Sequence, residues 1–101
     1  MIAEERINQS DLLSPFVKAA VDIEKEIVSI GGELHIDCAE ELIENGSRRP
    51  DIWGINIYPD GRIDFISLIN IRPQDNNRGM EIKDDVVREK ILGIVGKFLR
   101  Q

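Results

Sequence analysis

Cysteine, histidine and long apolar runs are scarce in this sequence. The single cysteine, Cys38, excludes an intramolecular disulfide and is typical of a reducing compartment. Because His35 is the one histidine, no soft metal site of cysteines and histidines can be completed, and we expect neither a metal nor a cofactor. No stretch approaches the roughly 18 to 20 apolar residues that cross a bilayer, and the charged N-terminus lacks the apolar core of a signal peptide. We therefore expect a cytoplasmic protein without a membrane span.

Basic residues are also in the minority, with 13 lysines and arginines against 19 acidic residues and a net charge of −6. Affinity for phosphate backbones comes mainly from clustered basic side chains, so we do not expect nucleic acid as a partner. A local basic patch could still form from Arg48, Arg49, Arg62, Arg72 and Arg78. With 101 residues, 42% of them hydrophobic, we expect a single domain over residues 1–101.

The first third of the chain predicts a helix. Residues 1–9 lack periodicity and predict a loose N-terminal arm or an edge strand. Ser14 followed by Pro15 is typical of a helix start, and Gly31-Gly32 of a helix end. Between them, apolar residues recur at helical spacing, namely Phe16, Ala20, Ile23, Ile27 and Ile30.

A strand and a short helix are predicted next. Residues 33–36 alternate between polar and apolar side chains, which indicates a strand. Asp37 with Glu40 three residues later resembles a capping box and predicts a helix that runs to Glu44. Asn45-Gly46 should end that helix.

Residues 51–71 predict a β-hairpin with strands at 52–58 and 62–71. The residues between Tyr58 and Arg62 suit a three-residue loop with Gly61 in the left-handed region. Trp53, Ile55 and Ile57 should face the core. The far end of the opposite sheet face is apolar too, so a helix or another subunit must cover it, and a homo-oligomer could form there.

A last helix is predicted from Lys83 or Asp84 onward. Its apolar stripe consists of Val87, Ile91, Ile94, Val95 and Phe98. The predicted order is α-β-α-β-β-α, an α+β fold. We expect a short antiparallel sheet of about three strands, with a central β-hairpin, packed against N-terminal and C-terminal helices.

The polar loop after the hairpin is the predicted binding surface. Guanidinium and amide groups present several donors to an anion, and the candidates are Asn70, Arg72, Asn76, Asn77 and Arg78, backed by Arg48 and Arg49. We expect a small binding or regulatory module whose partner is an anionic small molecule or a protein. The structural alternative is that Arg72 pairs with Asp64 or Asp75 while the asparagines satisfy backbone groups.

His35 supports a second hypothesis, although capping and packing are the simpler roles for it and its neighbours. In a minimal hydrolase or transferase for phosphorylated or carboxylated substrates, His35 would be the general base. Arg72 and Arg78 would stabilise the anion. This hypothesis requires His35 to lie within about one water molecule of the arginines.

Five segments resemble a family of small prokaryotic proteins classed as a domain of unknown function. The family pattern reads I-x-x-G-G-E-L-H, E-x-G-S, D-L-W-G-I-N-L-Y-P, I-N-I-R-P and N-R-S. Its counterparts here are residues 27–35, 44–47, 51–59, 69–73 and 77–79. The first of these is one residue longer than the family segment, and Gly79 replaces the serine of the last. The resemblance implies no activity, but it draws attention to Trp53, Asn56, Tyr58, Asn70, Arg72, Asn77 and Arg78.

Overall fold

Four antiparallel strands form the main sheet, in the spatial order β3-β2-β4-β5. The computed structural model describes residues 2, 7–8 and 16–100. The strands of this sheet are β2 (Val17–Asp22), β3 (Ile27–Ile30), β4 (Ile52–Ile57) and β5 (Ile63–Asp64). A separate parallel pair joins β1 (Ile7–Asn8) to β6 (Leu99–Arg100). With helices α1 (His35–Glu44) and α2 (Asp85–Phe98), the architecture is α+β.

One helix packs on each face of the sheet, because strand residues of both faces are apolar. Towards α1, the buried cluster consists of Ala20, Cys38, Ala39, Leu42 and Ile52. Towards α2, it consists of Ala19, Val21, Val28, Ile30, Trp53, Ile55, Ile57, Ile82, Ile91, Ile94 and Val95. Trp53 is therefore in the core as predicted. The second sheet face was predicted to be covered by a helix or by another subunit, and α1 covers it.

The predicted first helix is wrong: the described part of that segment is a β-hairpin. β2 and β3 pair in antiparallel orientation, from Ala19 opposite Ile30 to Asp22 opposite Ile27, and residues 23–26 connect them. The carboxylate of Asp22 shapes the turn by accepting hydrogen bonds from the N–H groups of Glu24 and Lys25, both at 2.9 Å. The segment is rich in valine and isoleucine, which favour strands, and apolar residues on both strand faces mimic a helical stripe.

The predicted strand at 33–36 is also wrong, since α1 begins at His35. Gly31 has φ +86° and turns the chain out of β3. Asp37 lies inside the first helical turn, where its carboxylate accepts a hydrogen bond from the N–H of Leu34 at 3.0 Å. It therefore caps the helix from within the first turn, and not from the flanking position that the capping-box pattern implies. The predicted end of the helix at Glu44 is confirmed.

The second hairpin closes as predicted but is shorter. The N–H of Tyr58 donates to Arg62 O at 2.9 Å, and Gly61 has φ +91°. Ile57 pairs with Ile63 and Asn56 with Asp64, after which β5 ends. The predicted strand 62–71 does not continue along β4, because the next residues pair with the chain near Glu81: Ser67 N–H donates to Met80 O at 3.1 Å.

Little of the predicted N-terminal arm and helix start can be compared with the structure. Ile2 forms a bridge with Ser29, and β1 pairs with β6. The remainder of the arm, together with Ser14 and Pro15, lies outside the described residues. Neither helix among the described residues is long and apolar enough to span a membrane.

Gly54 allows the segment after β5 to pack closely on β4. A Cβ atom at this position would lie 2.6 Å from both Cβ and Oγ of Ser67, and 2.9 Å from Cγ1 of Ile69. These distances are well inside van der Waals contact. Only glycine therefore permits this approach between β4 and the 3₁₀ helix Leu68–Asn70, which we call the 3₁₀ turn.

We predict that Gly54→Ala destabilises the protein by about 1–3 kcal/mol, because the added methyl group overpacks the interface with Ser67. The matched control is Gly93→Ala, since a Cβ at Gly93 in α2 meets nothing within 4 Å. That change should stabilise the helix by up to about 1 kcal/mol. Urea denaturation measures both values. Equal effects of the two substitutions would contradict the close packing described here.

Candidate functional site

The side chain of Asn70 takes the place of a neighbouring strand beside Gly54. Its Oδ1 accepts the N–H of Gly54 at 2.8 Å, and its Nδ2 donates to Gly54 O at 2.9 Å. The same Nδ2 also lies 3.1 Å from Met80 O. Asn70 is fully buried, so its amide satisfies backbone groups that β5 no longer reaches.

Asn77 closes the loop that follows. Its Nδ2 donates to Asn70 O at 2.8 Å and lies 3.1 Å from Glu81 O, while its Oδ1 accepts the N–H of Lys83 at 3.0 Å. The backbone of Asn77 also pairs with that of Arg72 in both directions. This side chain is 3% exposed. Like Asn70, it holds the loop together, which is the structural role that the sequence left open for these asparagines.

Arg72 lies across the indole ring of Trp53. Its Cζ is 4.1 Å from the ring centroid, and its Nη1 donates to Pro50 O at 2.9 Å. Burial lowers the pKa of Arg72 from its ordinary value, and Asp75 and Asp51 act in the opposite direction. A guanidinium stays charged at any physiological pH. The side chain therefore carries a positive charge at a position that is only 9% exposed.

Arg72 lines a cleft of about 240 Å³, which we call the arginine cleft. Its apolar walls come from α1, β4 and the 3₁₀ turn, and its polar rim comes from the neighbouring loops. The lining consists of Ile36, Ala39, Ile43, Arg49, Pro50, Ile52, Ile69, Arg72, Gln74 and Asp75. An apolar cavity with a few convergent polar groups is the usual form of a small-molecule site.

The other predicted binding residues are exposed, and of these only Arg49 lines the arginine cleft. Asn76 has φ +63° and borders a different depression together with Trp53 and Lys83. Arg48 and Arg78 do not line either of these cavities. The structure thus brings Arg72 and Arg49 together and leaves Asn76 and Arg78 apart from them.

His35 lies in a second cleft of about 360 Å³, which we call the histidine cleft. Its Nε2 is 2.9 Å from both Ile55 O and Oδ1 of Asn56. The Nδ2 of Asn56 faces Ile66 O at 3.3 Å and a carboxylate oxygen of Asp64 at 3.5 Å, which sets the orientation of the amide. Both partners of Nε2 are acceptors, so Nε2 carries the hydrogen and Nδ1 the lone pair.

Burial lowers the pKa of His35 below its ordinary value of 6.5, whereas the hydrogen bonds to Ile55 and Asn56 act to raise it. Nearby Lys18 lowers it further and Asp64 raises it. The net direction favours the neutral ring in the folded protein. A neutral imidazole with a free lone pair is the form required of a general base.

His35 and Arg72 line different clefts, and the residues common to both linings are Ile36 and Ile69. Cys38 is 1% exposed, and its thiol donates to Lys18 O at 3.7 Å, which is a packing role. Within the described residues, no group of three or more histidine, cysteine or acidic side chains could hold a metal ion. Arg72 likewise has no ion pair with Asp64 or Asp75 within 4.0 Å.

Sequence reasoning missed two parts of the site. Gly54 received no role, although it allows Ser67 and Ile69 to approach β4. The cation–π contact between Arg72 and Trp53 was not expected either. The available signal was a glycine within an otherwise apolar strand, which often marks a close backbone approach.

The comparisons with known proteins give one match. A family model described as protein of unknown function (DUF5674) matches residues 2–98. No curated protein and no solved structure matches the chain.

We predict that Asn70→Asp destabilises the protein by at least about 2 kcal/mol. The substitution keeps the shape but removes the donor to Gly54 O and places a carboxylate against carbonyl oxygens. Asn76→Asp is the matched control, because Asn76 is exposed and aspartate tolerates its left-handed backbone. Thermal and urea unfolding provide the comparison. If the two variants were equally stable, Asn70 would not hold the loop.

We also predict that His35 makes stability depend on pH. Its folded pKa is lowered, so the unfolded chain binds the proton more readily, and stability falls as the pH drops below the ordinary value of 6.5. In His35→Gln this part of the pH dependence should disappear. Urea denaturation at about pH 7.5 and about pH 5.5 gives the difference between the two proteins. Identical pH dependence in both would show that His35 is not held neutral.

Proposed function

The chain belongs to the family of proteins of unknown function DUF5674, and we propose that it binds a small carboxylate in the arginine cleft. Arg72 binds the carboxylate, assisted by Arg49 at the rim. The apolar walls take up the remainder of the ligand. The protein is then a small binding module, with the ligand placed between α1 and the loop after the hairpin.

The observation that carries this proposal is the unpaired charge of Arg72. Among the described residues, no carboxylate lies within 4.0 Å of its guanidinium. Its contacts are Pro50 O, Ile69 O at 3.4 Å and the ring of Trp53. Asp75 and Asp51 act on this charge only from beyond ion-pair distance. A buried charge without a direct ion pair is costly, and an incoming anion can supply one.

The geometry favours a carboxylate in particular. Nη1 and Nε are engaged by backbone carbonyls, and Nη2 has no hydrogen-bond partner among residues 16–100. A guanidinium edge held by backbone and by an aromatic ring is preorganised, so it loses little side-chain freedom on binding. Half of the cleft lining is apolar, formed by Ile36, Ala39, Ile43, Ile52 and Ile69, and it can cover the hydrocarbon part of an organic acid, which inorganic phosphate lacks.

The alternative of a minimal hydrolase or transferase receives no support from the geometry. That mechanism needs the His35 base and the arginines at one reacting centre, and His35 lines the histidine cleft while Arg72 lines the arginine cleft. Arg78 lines neither of them. A binding site needs only Arg72 and its cleft, whereas the enzyme hypothesis also needs His35 at the same centre. We therefore favour binding without catalysis.

We predict that butanoate raises the melting temperature of the wild-type protein and that Arg72→Lys largely removes this effect. A ligand that binds only the native state stabilises it, and an ammonium cannot reproduce the guanidinium fork. The affinity of the variant should be at least about tenfold lower, which corresponds to about 1.4 kcal/mol. Thermal shift measurements at increasing butanoate concentration test this.

The matched control is Arg78→Lys, which alters an exposed arginine outside the cleft and should leave the butanoate effect unchanged. Arg49→Lys should have an intermediate effect. No stabilisation of the wild-type protein by butanoate, or equal losses in the Arg72 and Arg78 variants, would disprove the proposed site.

A further inference from the structure

We infer that the ligand is an unbranched aliphatic carboxylate whose chain crosses Ile36 and Ile69 and ends in the histidine cleft. This inference rests on the proposed function, because Arg72 binds the carboxylate head. It extends that function by naming the ligand class and by assigning a role to the second cleft.

The two clefts are neighbours and share two lining residues, one from α1 and one from the 3₁₀ turn. Ile36 at the start of α1 and Ile69 in the turn line both of them. Both side chains are partly buried and pack against the core cluster under α1. A ligand that reaches from one cleft into the other would therefore contact these two isoleucines, which are suited to a hydrocarbon chain.

The histidine cleft has the apolar character that an acyl chain requires. Large apolar side chains surround it and remain exposed to solvent: Leu34 at 55%, Ile66 at 40%, Leu68 at 71% and Met80 at 41%. Phe16 contributes to the same lining. Exposed apolar residues that gather around one cleft commonly mark a binding site, and an acyl chain would remove their surface from water.

Three polar side chains of this cleft, those of Lys18, His35 and Asn56, already have hydrogen-bond partners within the protein. His35 and Asn56 bind one another and nearby backbone carbonyls, and the ammonium of Lys18 donates to Glu33 O at 2.9 Å. An extended peptide would bring an N–H and a C=O with every residue, and those groups need partners. The cleft is thus better suited to a hydrocarbon chain than to a peptide.

A chain-length series with the full-length protein tests the inference. Trp53 is the only tryptophan and its ring lies against Arg72, so its fluorescence should respond to an anion that binds Arg72. Each methylene that is buried should tighten binding by at most about fourfold, from about 0.8 kcal/mol per group. We expect octanoate to bind at least about tenfold more tightly than butanoate. Octan-1-ol, which lacks the charged head, should bind far more weakly than octanoate.

Two exposed leucines provide matched variants. Leu68→Ser removes an apolar contact of the histidine cleft, whereas Leu92→Ser changes a leucine on α2 that is 49% exposed and lines neither cleft. Leu68→Ser should weaken octanoate binding by roughly threefold to tenfold and leave butanoate unchanged. Leu92→Ser should change neither affinity.

Any of the following results would overturn the inference. Equal affinities for butanoate and octanoate, both still dependent on Arg72, would support the proposed carboxylate site. They would contradict its extension into the histidine cleft. The same conclusion follows if the Leu68 and Leu92 variants behave alike. Tighter binding of N-acetyl-trileucine than of octanoate would assign the clefts to a peptide C-terminus. Absence of binding by any carboxylate would remove both the inference and the proposed function.

Discussion

The pairing of the Asn70 side chain with the backbone of Gly54 is the contact on which the described site depends. β4 is a buried strand, and β5 pairs with it only at Ile63 and Asp64. The N–H and C=O of Gly54 would then be buried without partners, a costly arrangement. The Asn70 amide satisfies both groups. The chain is thereby free to leave the sheet and turn towards α1.

The position of Arg72 follows from that turn. The 3₁₀ turn at Leu68–Asn70 brings Ile69 against β4, and Arg72 follows two residues after the turn. Asn77 then closes the loop through Asn70 O and through the paired backbones of Arg72 and Asn77. The guanidinium thus rests on Trp53 because buried amides hold the backbone on both sides of it. A cation held in this way does not need a carboxylate partner to keep its position.

The two halves of the chain differ in how far their fold could be predicted from the sequence. The predictions of the turn between Tyr58 and Arg62, the left-handed Gly61, the end of α1 and the last helix are confirmed. The first hairpin was mistaken for a helix, because helices cover both faces of its strands and both faces are therefore apolar. Its many β-branched residues were the signal for a strand.

The sequence identified Arg72 as a candidate site residue, but it did not predict which other polar residues lie beside it. Whether the amide of Asn70 faces solvent or backbone depends on Gly54, which lies sixteen residues earlier in the chain. Local sequence does not carry that information. The separation of His35 from Arg72 depends on the start of α1. The sequence pattern places that start three residues too late, because it assigns Asp37 to the capping position that Leu34 occupies. Long-range packing therefore decides which polar residues meet.

Hydrogen exchange of the asparagine side-chain amides tests most directly whether this buried network holds the site. In ¹⁵N-labelled protein, the NH₂ groups of Asn70 and Asn77 should exchange orders of magnitude more slowly than that of exposed Asn76. Their protection should approach that of the Gly54 N–H, because the same opening of the loop exposes all of them. Exchange of the Asn70 and Asn77 amides as fast as that of Asn76 would contradict the account.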